Sequence, residues 1–291
     1  MTSFKFNFSA DEKENTETES NTVSAHTGQN IKWQESEIVK PDTQVKNLDT
    51  IAARANIFVF EDVEIGHIIP STALSLIDKN QSDIVAAESQ HSDLVTGKYE
   101  GGLKIWECTS DLIEYLENHK TEISLKDTKV LDLGCGAGLV GIYAFLNGAK
   151  VTFQDYNKEV LEHVTIPNVL LNIDEEEDRE KQIAQCSFYS GDWASFMNIL
   201  EESELFNFIL TSETIYNSEN YDKLIELFLR RLSQDGVVFV AAKTYYFGVG
   251  GGTRQFEECV SKSLKLKSEV VWLSSGGVKR EIIKITRNNT N

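Results

Sequence analysis

No run of apolar residues in this 291-residue chain approaches the roughly 18–20 needed to span a membrane. The opening Met-Thr-Ser-Phe-Lys-Phe-Asn-Phe-Ser also lacks the long apolar core of a secretory leader. Cysteine is scarce. Cys108, Cys135, Cys186 and Cys259 are scattered, with no Cys-x-x-Cys pair, and read as small buried hydrophobes in a reducing compartment. The five histidines (His26, His67, His91, His119, His163) show no ligand spacing, so no metal site is expected. Basic residues are outnumbered, 28 Lys and Arg against 46 Asp and Glu, for a net charge of -18. That balance argues against direct nucleic-acid binding, which needs a basic footprint. It suits a basic protein partner, or serves solubility alone. An intracellular chain with no membrane partner is expected.

What is present divides into a polar beginning and an ordered remainder. Residues 9–50 are rich in Ser, Thr, Asn, Asp and Glu and hold too little apolar surface to offset ordering entropy. The segment 1–55 is therefore expected to be mostly disordered, with Phe4, Phe6 and Phe8 alternating as a short strand, a docking peptide or a dangling tail. Ile57–Phe60 and Val63–Ile69 look like short strands, with Pro70 as a break, and residues 71–90 stay ambiguous. Lys104–His119 reads as an amphipathic helix with Ile105, Cys108, Leu112, Ile113 and Leu116 on one stripe.

From Lys129 strand and helix alternate. Strands are expected at Lys129–Leu133, Lys150–Gln154, Gln185–Tyr189, Phe206–Thr211 and Val237–Lys243, then near Glu269–Leu273 and Lys279–Thr286. A helix covers Leu139–Leu146, and the helix after the second strand is broken by Pro167. The acidic run Asp174–Glu180 reads as a solvated loop. Asp235-Gly236 makes a turn, and Gly276-Gly277 makes a hairpin of the last two strands. Seven strands in this order give an α/β, doubly wound, Rossmann-like sheet, mostly parallel with an antiparallel last strand. Ligands of such sheets lie outside the carboxyl ends of the strands. Asp132 to Gly138, Asp155, Asp192-Trp193 and Ser212 to Tyr216 all fall there.

The loop Asp132-Leu-Gly-Cys-Gly-Ala-Gly138 satisfies two patterns. From Gly136 it is G-x-G-x-x-G, with Asp155 about 20 residues on, as in dinucleotide binders. From Asp132 it is D-x-G-x-G-x-G, as in enzymes that use S-adenosyl-L-methionine. A pyrophosphate would be repelled by a carboxylate in its loop, whereas a sulfonium and an ammonium would be welcomed. Asp192-Trp193 adds an acid and a ring suited to adenine. Charge thus favours S-adenosyl-L-methionine, with Asp132, Gly134, Gly136, Asp155, Asp192 and Trp193 as candidate cofactor residues.

Glu213-Thr-Ile-Tyr216 has the acid-x-x-aromatic form of the protein-modifying branch of these enzymes. The Asn/Asp-Pro-Pro-aromatic motif of many small-molecule and nucleic-acid N-methyltransferases is absent. His91 to Thr109 (His-Ser-Asp-Leu-Val-Thr-Gly-Lys-Tyr-Glu-Gly-Gly-Leu-Lys-Ile-Trp-Glu-Cys-Thr) resembles the segment marking the protein-histidine methyltransferases that act on a large-subunit ribosomal protein. Similar stretches follow in that family's order: Leu131–Gly136, Phe153–Asn157, Ser190–Trp193, Thr211–Asn217 and Tyr246–Gly252. The resemblance is strong over residues 88–291 and weak over 1–10. It implies a class I methyltransferase domain over 56–291, with an N-terminal extension and first helix at 56–120 and the sheet core at 121–291.

The resemblance further implies methylation of one imidazole nitrogen of a histidine in ribosomal protein L-three. It implies a role in ribosome biogenesis or translation and residence in cytoplasm and nucleus; separately, a monomer is expected. By carry-over, Ile105, Trp106, Glu107, Cys108, Thr109, Gly134, Gln154, Asp155, Tyr156, Gly191, Asp192, Trp193 and Ser212 would contact the cofactor. An imidazole is largely neutral at working pH, so the task is tautomer choice, with an acceptor holding one ring N–H. Asp93 or Glu213 could be that acceptor, with Tyr216 and Asn217 positioning the ring. A lysine methyltransferase of the same fold and a non-catalytic assembly factor are the alternatives.

Overall fold

The computed structural model describes residues 33–52, 55–60, 63–77, 82–90, 92–174 and 176–288. The chain first forms β1 (Glu37–Ile38), α1 (Asp42–Ala52), β2 (Ala55–Phe60), β3 (Val63–Ile68), α2 (Pro70–Leu76), α3 (Asp83–Ser89) and α4 (Glu107–Asn118). Next come β4 (Lys129–Leu133), α5 (Leu139–Leu146), β5 (Lys150–Asp155), α6 (Lys158–Val160), a π turn (Leu161–Thr165) and α7 (Ile166–Leu171). After them lie α8 (Arg179–Ile183), β6 (Cys186–Ser190), α9 (Trp193–Ile199), β7 (Phe206–Ser212) and α10 (Tyr221–Arg231). The chain closes with β8 (Leu232–Lys243), α11 (Thr253–Lys262), β9 (Leu266–Leu273) and β10 (Arg280–Arg287).

One sheet runs β1-β6-β5-β4-β7-β8-β10-β9. The ladders from β6 to β8 are parallel, and β10 runs against both its neighbours. This is the expected doubly wound architecture with its antiparallel last strand. The count is eight strands and not seven, because Glu37–Ile38 pairs antiparallel with the outer edge of β6. Two residues in a polar stretch carry no apolar run to announce a strand. Over residues 33–52, β1 and α1 replace the expected disorder; the Phe4, Phe6 and Phe8 alternation lies outside the described residues.

Central strands are apolar on both faces because helices cover both. Val130 packs with Leu112, Ile113 and Leu116 of α4 and with α5 on one side. Leu131 and Leu133 pack with Phe196, Leu224, Phe228 and Phe256 of α9, α10 and α11 on the other. Arg280 on β10 clamps α4 from outside, its Nε and Nη2 donating to the Asp111 carboxylate at 2.5 and 3.1 Å. The β2–β3 hairpin forms a separate small sheet. It is docked on α7 by Asn168 and Asn172, whose Oδ1 atoms accept from Ile68 N at 2.8 Å and Gly66 N at 2.9 Å.

Three local expectations change. Pro70 does not break the chain but opens α2, where a missing N–H costs nothing. Pro167 does not end its helix, because the π turn just before it widens the winding. Ile166 N reaches back five residues to Leu161 O, which makes room where a proline ring would strike an α-helical carbonyl. The run Asp174–Glu180 is not all loop: a 3-10 turn spans Glu176–Asp178, and α8 begins at Arg179.

Candidate functional site

Strand order reverses at β4, which sits between β5 and β7, so the carboxyl ends of these strands diverge and leave a crevice. A cleft open to solvent occupies it. Its floor is the glycine loop between β4 and α5. Gly134, Gly136 and Gly138 have φ of +64°, +49° and +77°, conformations that suit glycine. Packing is close as well: a Cβ on Gly134 would stand 2.6 Å from Thr214 Cγ2. Thr165 from the π turn donates to Gly136 O at 2.6 Å, and Asn168 donates to Ala137 O at 2.8 Å. The loop is held by its carbonyls from the helix behind it.

Most of the residues expected at the site line this cleft: Ile105, Trp106, Thr109, Gly134, Gly136, Asp155, Tyr156, Gly191, Asp192, Trp193, Ser212, Glu213 and Tyr216. Several are locked by their neighbours. Asp155 accepts from Gly136 N at 2.9 Å and Asn157 N at 3.0 Å. Asp192 caps α9 with one oxygen and pairs with Lys223 at 2.6 Å through the other. The Tyr156 hydroxyl donates to Gly97 O at 2.9 Å, and Thr109 and Ser212 share a hydroxyl bond of 3.1 Å. Burial pushes the Asp155 carboxyl up to about 6, against the hydrogen bonds that favour its charge.

Other expected residues stand outside the wall. Asp132 is buried behind it, where its Oδ2 accepts from Gly141 N at 2.8 Å in the first turn of α5. Burial raises this carboxyl to about 7. Asp132 braces the loop instead of facing a ligand. Gln154 ties strand ends together, donating to Gly191 O at 2.8 Å and accepting from Trp193 Nε1 at 2.9 Å. Glu107 is exposed, and Cys108 is buried beneath the site. Asp93 is paired with Lys104, and Asn217 caps a short turn by accepting from Glu219 N at 3.0 Å. His91 lies outside the described residues.

At the β7 end the chain turns sharply, and Glu213 takes φ of +58°. For a residue with a side chain this costs roughly 1–3 kcal/mol and aims the carboxylate inward. Glu213 is 8% exposed, and its Oε1 lies 3.4 Å from Lys243 Nζ. Cys108 and Tyr246 press against it, and its charge adds to the burial that holds both their protons tightly. Among the described residues, neither carboxylate oxygen completes a hydrogen bond of ordinary geometry. Lys243 Nζ also lies 5.5 Å from the centre of the Trp106 ring. Nearby, Tyr216 donates its hydroxyl proton to Glu100, whose carboxyl burial pushes up.

Residues 79–248, more than half of the chain, match a family described as lysine methyltransferase. A Bos taurus histidine protein methyltransferase 1 homolog is 43% identical over 240 residues, covering 75% of this chain and 64% of the relative. The chain thus spans less than two thirds of that relative's length. Saccharomyces cerevisiae histidine protein methyltransferase 1 is 30% identical over 284 residues, covering 78% of this chain and 75% of the relative. The chain belongs to the histidine protein methyltransferase 1 family. A solved Streptococcus mutans protein described as a SAM-dependent methyltransferase superposes with a TM-score of 0.52 at 14% identity, over 81% of this chain and 56% of that one. That likeness shows the fold.

A member of the histidine protein methyltransferase 1 family takes S-adenosylmethionine, and the cleft fits it. Glu100, Asp155, Asp192 and Glu213 line the wall with one lysine, Lys104, which suits a ligand carrying a sulfonium and an ammonium. Pattern reading located Asp155, Trp193 and Glu213 because they end strands. It missed Trp33, Glu100, Gly101 and Gly102 of the wall, and Lys243 beside Glu213. For Lys243 the available signal was a lysine ending an otherwise apolar strand. For Glu100 it was an acid just before a Gly-Gly pair.

Proposed function

We propose that the chain transfers a methyl group from S-adenosylmethionine to an imidazole nitrogen of a protein histidine, with large-subunit ribosomal protein L-three as its substrate. A basic ribosomal protein would complement a net charge of -18. With that substrate go a role in ribosome biogenesis and residence in cytoplasm and nucleus. The observation that carries the reading is Glu213: a buried carboxylate in the wall of the donor cleft, turned inward at a φ of +58°.

Methyl transfer is an in-line displacement at carbon, so the chain's work is alignment. When bound, S-adenosylmethionine supplies the electrophilic methyl. Glu213 accepts the N–H of one ring nitrogen and so fixes the tautomer in which the other nitrogen presents its lone pair. As that nitrogen gains the methyl, the ring becomes cationic. The carboxylate stabilises this charge and then relays the surplus proton to water. Tyr216, oriented by Glu100, flanks the ring, and Trp106 closes the side toward Lys243. A lysine acceptor is the second reading, favoured by the description of the matching family. It would bring an ammonium of pKa near ~10.4 that must first lose its proton.

Incubating the chain with methyl-labelled S-adenosylmethionine and ribosomal protein L-three should yield labelled methylhistidine on amino-acid analysis. Glu213→Gln should lower kcat about a hundredfold or more, as loss of a positioned acid–base group does, while leaving S-adenosylhomocysteine affinity within about threefold. Label confined to lysine would overturn the acceptor, and full activity in the Gln variant would overturn the role of Glu213.

A further inference from the structure

Residues 9–50 contain a single Phe, Trp or Tyr, namely Trp33, and its indole stands in the wall of the donor cleft. A series of backbone bonds delivers it there. Glu37 pairs with Ser190 across β1 and β6, and Val39 N donates to Phe188 O at 2.9 Å. Ahead of β1, Ser36 N donates to Ser195 Oγ at 2.8 Å and Asp192 N donates to Gln34 O at 2.9 Å. Gln34 N donates to the Tyr156 hydroxyl at 3.1 Å. Residues 33–39 therefore cross the carboxyl ends of β5 and β6 as a strap.

The crossing is tight. A Cβ on Gly191 would stand 2.6 Å from both Glu35 O and Ser36 Cα. The Trp33 ring meets Tyr156 edge to face, 6.1 Å between centres. Lys223 Nζ lies 3.6 Å from the Trp33 ring centre and 2.6 Å from Asp192 Oδ2. Tyr156, Gly191 and Asp192, which the strap touches, themselves line the cleft. Holding a polar segment in place costs roughly 1–2 kcal/mol per residue in backbone entropy. Beyond Trp33, Val39 is the strap's one buried apolar side chain, and Ile38 is exposed. A ligand sharing the wall with Trp33 would supply the difference.

We propose that Trp33 is a cofactor-binding residue that closes the adenosyl side of the donor cleft, and that docking of the strap is coupled to occupancy of the cleft. The side follows from the sheet. β6 lies three strands from β7, roughly 14 Å away at the usual strand spacing, so Trp33 flanks the end remote from Glu213. Adenine is the part of the donor with a flat face to set against an indole. Coupling runs both ways: if the strap strengthens donor binding, the donor steadies the strap by the same factor.

The test titrates S-adenosylhomocysteine into the full chain by calorimetry, as wild type, Trp33→Ala and Trp33→Phe. Trp33→Ala should raise Kd about tenfold, as loss of one base–aromatic contact does, and Trp33→Phe should restore most of the affinity. In the wild type, hydrogen exchange at Gln34, Ser36 and Val39 should slow when the ligand is present. An unchanged Kd in Trp33→Ala overturns the proposal, and so does a lowered melting temperature with unchanged Kd, which would make Trp33 purely structural. Exchange indifferent to ligand overturns the coupling. If the wild type fails to bind S-adenosylhomocysteine at all, the donor cleft falls and the strap's role with it.

Discussion

Asp132 does not face the cleft. Its carboxylate instead holds the first turn of α5 from behind, and the acids that face the cleft are Asp155, Asp192, Glu100 and Glu213. Sequence shows that a carboxylate is near a loop without showing which way it points. Burial raises the Asp132 carboxyl from 3.8 to about 7. The folded state therefore holds this proton more tightly than the unfolded chain does. Below about pH 4 the group is protonated in both states and costs nothing; as pH rises toward 7 the unfolded chain ionises first and stability falls. Asp132→Asn keeps an acceptor for Gly141 N and removes the titration. Urea midpoints should show the variant gaining on the wild type between pH 4 and pH 7, and parallel curves would contradict the burial of a titrating group.

Elements made of continuous apolar runs were legible. β4 spans Lys129–Leu133 and α5 spans Leu139–Leu146, as the pattern predicts. Elements that depend on pairing were not: β1 has two residues and exists because β6 offers an edge. Turn chemistry fell between. Ser233 to Gly236 lie where the β7–β8 register jumps from Phe206↔Leu232 to Phe208↔Val237, so the expected Asp235-Gly236 turn is an outward bulge in a strand that starts earlier. Part of the glycine-rich segment after β8 is wedged. A Cβ on Gly251 would stand 2.3 Å from Ile215 O and 2.4 Å from Tyr216 O, whereas one on Gly250 meets nothing within 4 Å. Gly251→Ala should displace the segment from the Glu213 turn and reduce kcat at least tenfold. Gly250→Ala, at φ of +100°, should cost about 1–2 kcal/mol of stability and leave most activity. Equal losses in both would mean that the segment acts by flexibility and not by its seat on the Ile215 and Tyr216 carbonyls.

At the scale of the whole molecule, the doubly wound sheet and the position of its crevice followed from the order of strands and helices. The additions to the site came from segments outside that order, Trp33 from one side and Glu100 from the loop before α4. Their distance in sequence from the strand ends hid them. Net charge is also a property of the whole. With -18 on 291 residues, attraction to a basic protein acceptor is long-ranged and screened by salt, with a Debye length of ~10 Å at 0.1 M. KM for the proposed ribosomal substrate should rise severalfold from low salt to 0.3 M, while S-adenosylhomocysteine affinity, fixed inside the cleft, should move little. A salt-independent KM would show that the acidic surface serves solubility alone.

The π turn at Leu161–Thr165 gives the α6–α7 helix one residue more than a regular winding would hold. Deleting a single residue there would let the segment wind as an ordinary helix, which for a peptide in isolation is an improvement. The same deletion would rotate Thr165 and Asn168 by about 100°, away from Gly136 O and Ala137 O and from the hairpin at Ile68. The donor loop and the β2–β3 hairpin would lose their common anchor together. In this chain an irregular helix serves as a spacer that sets the angle of a binding loop, and regularising it would undo the fit.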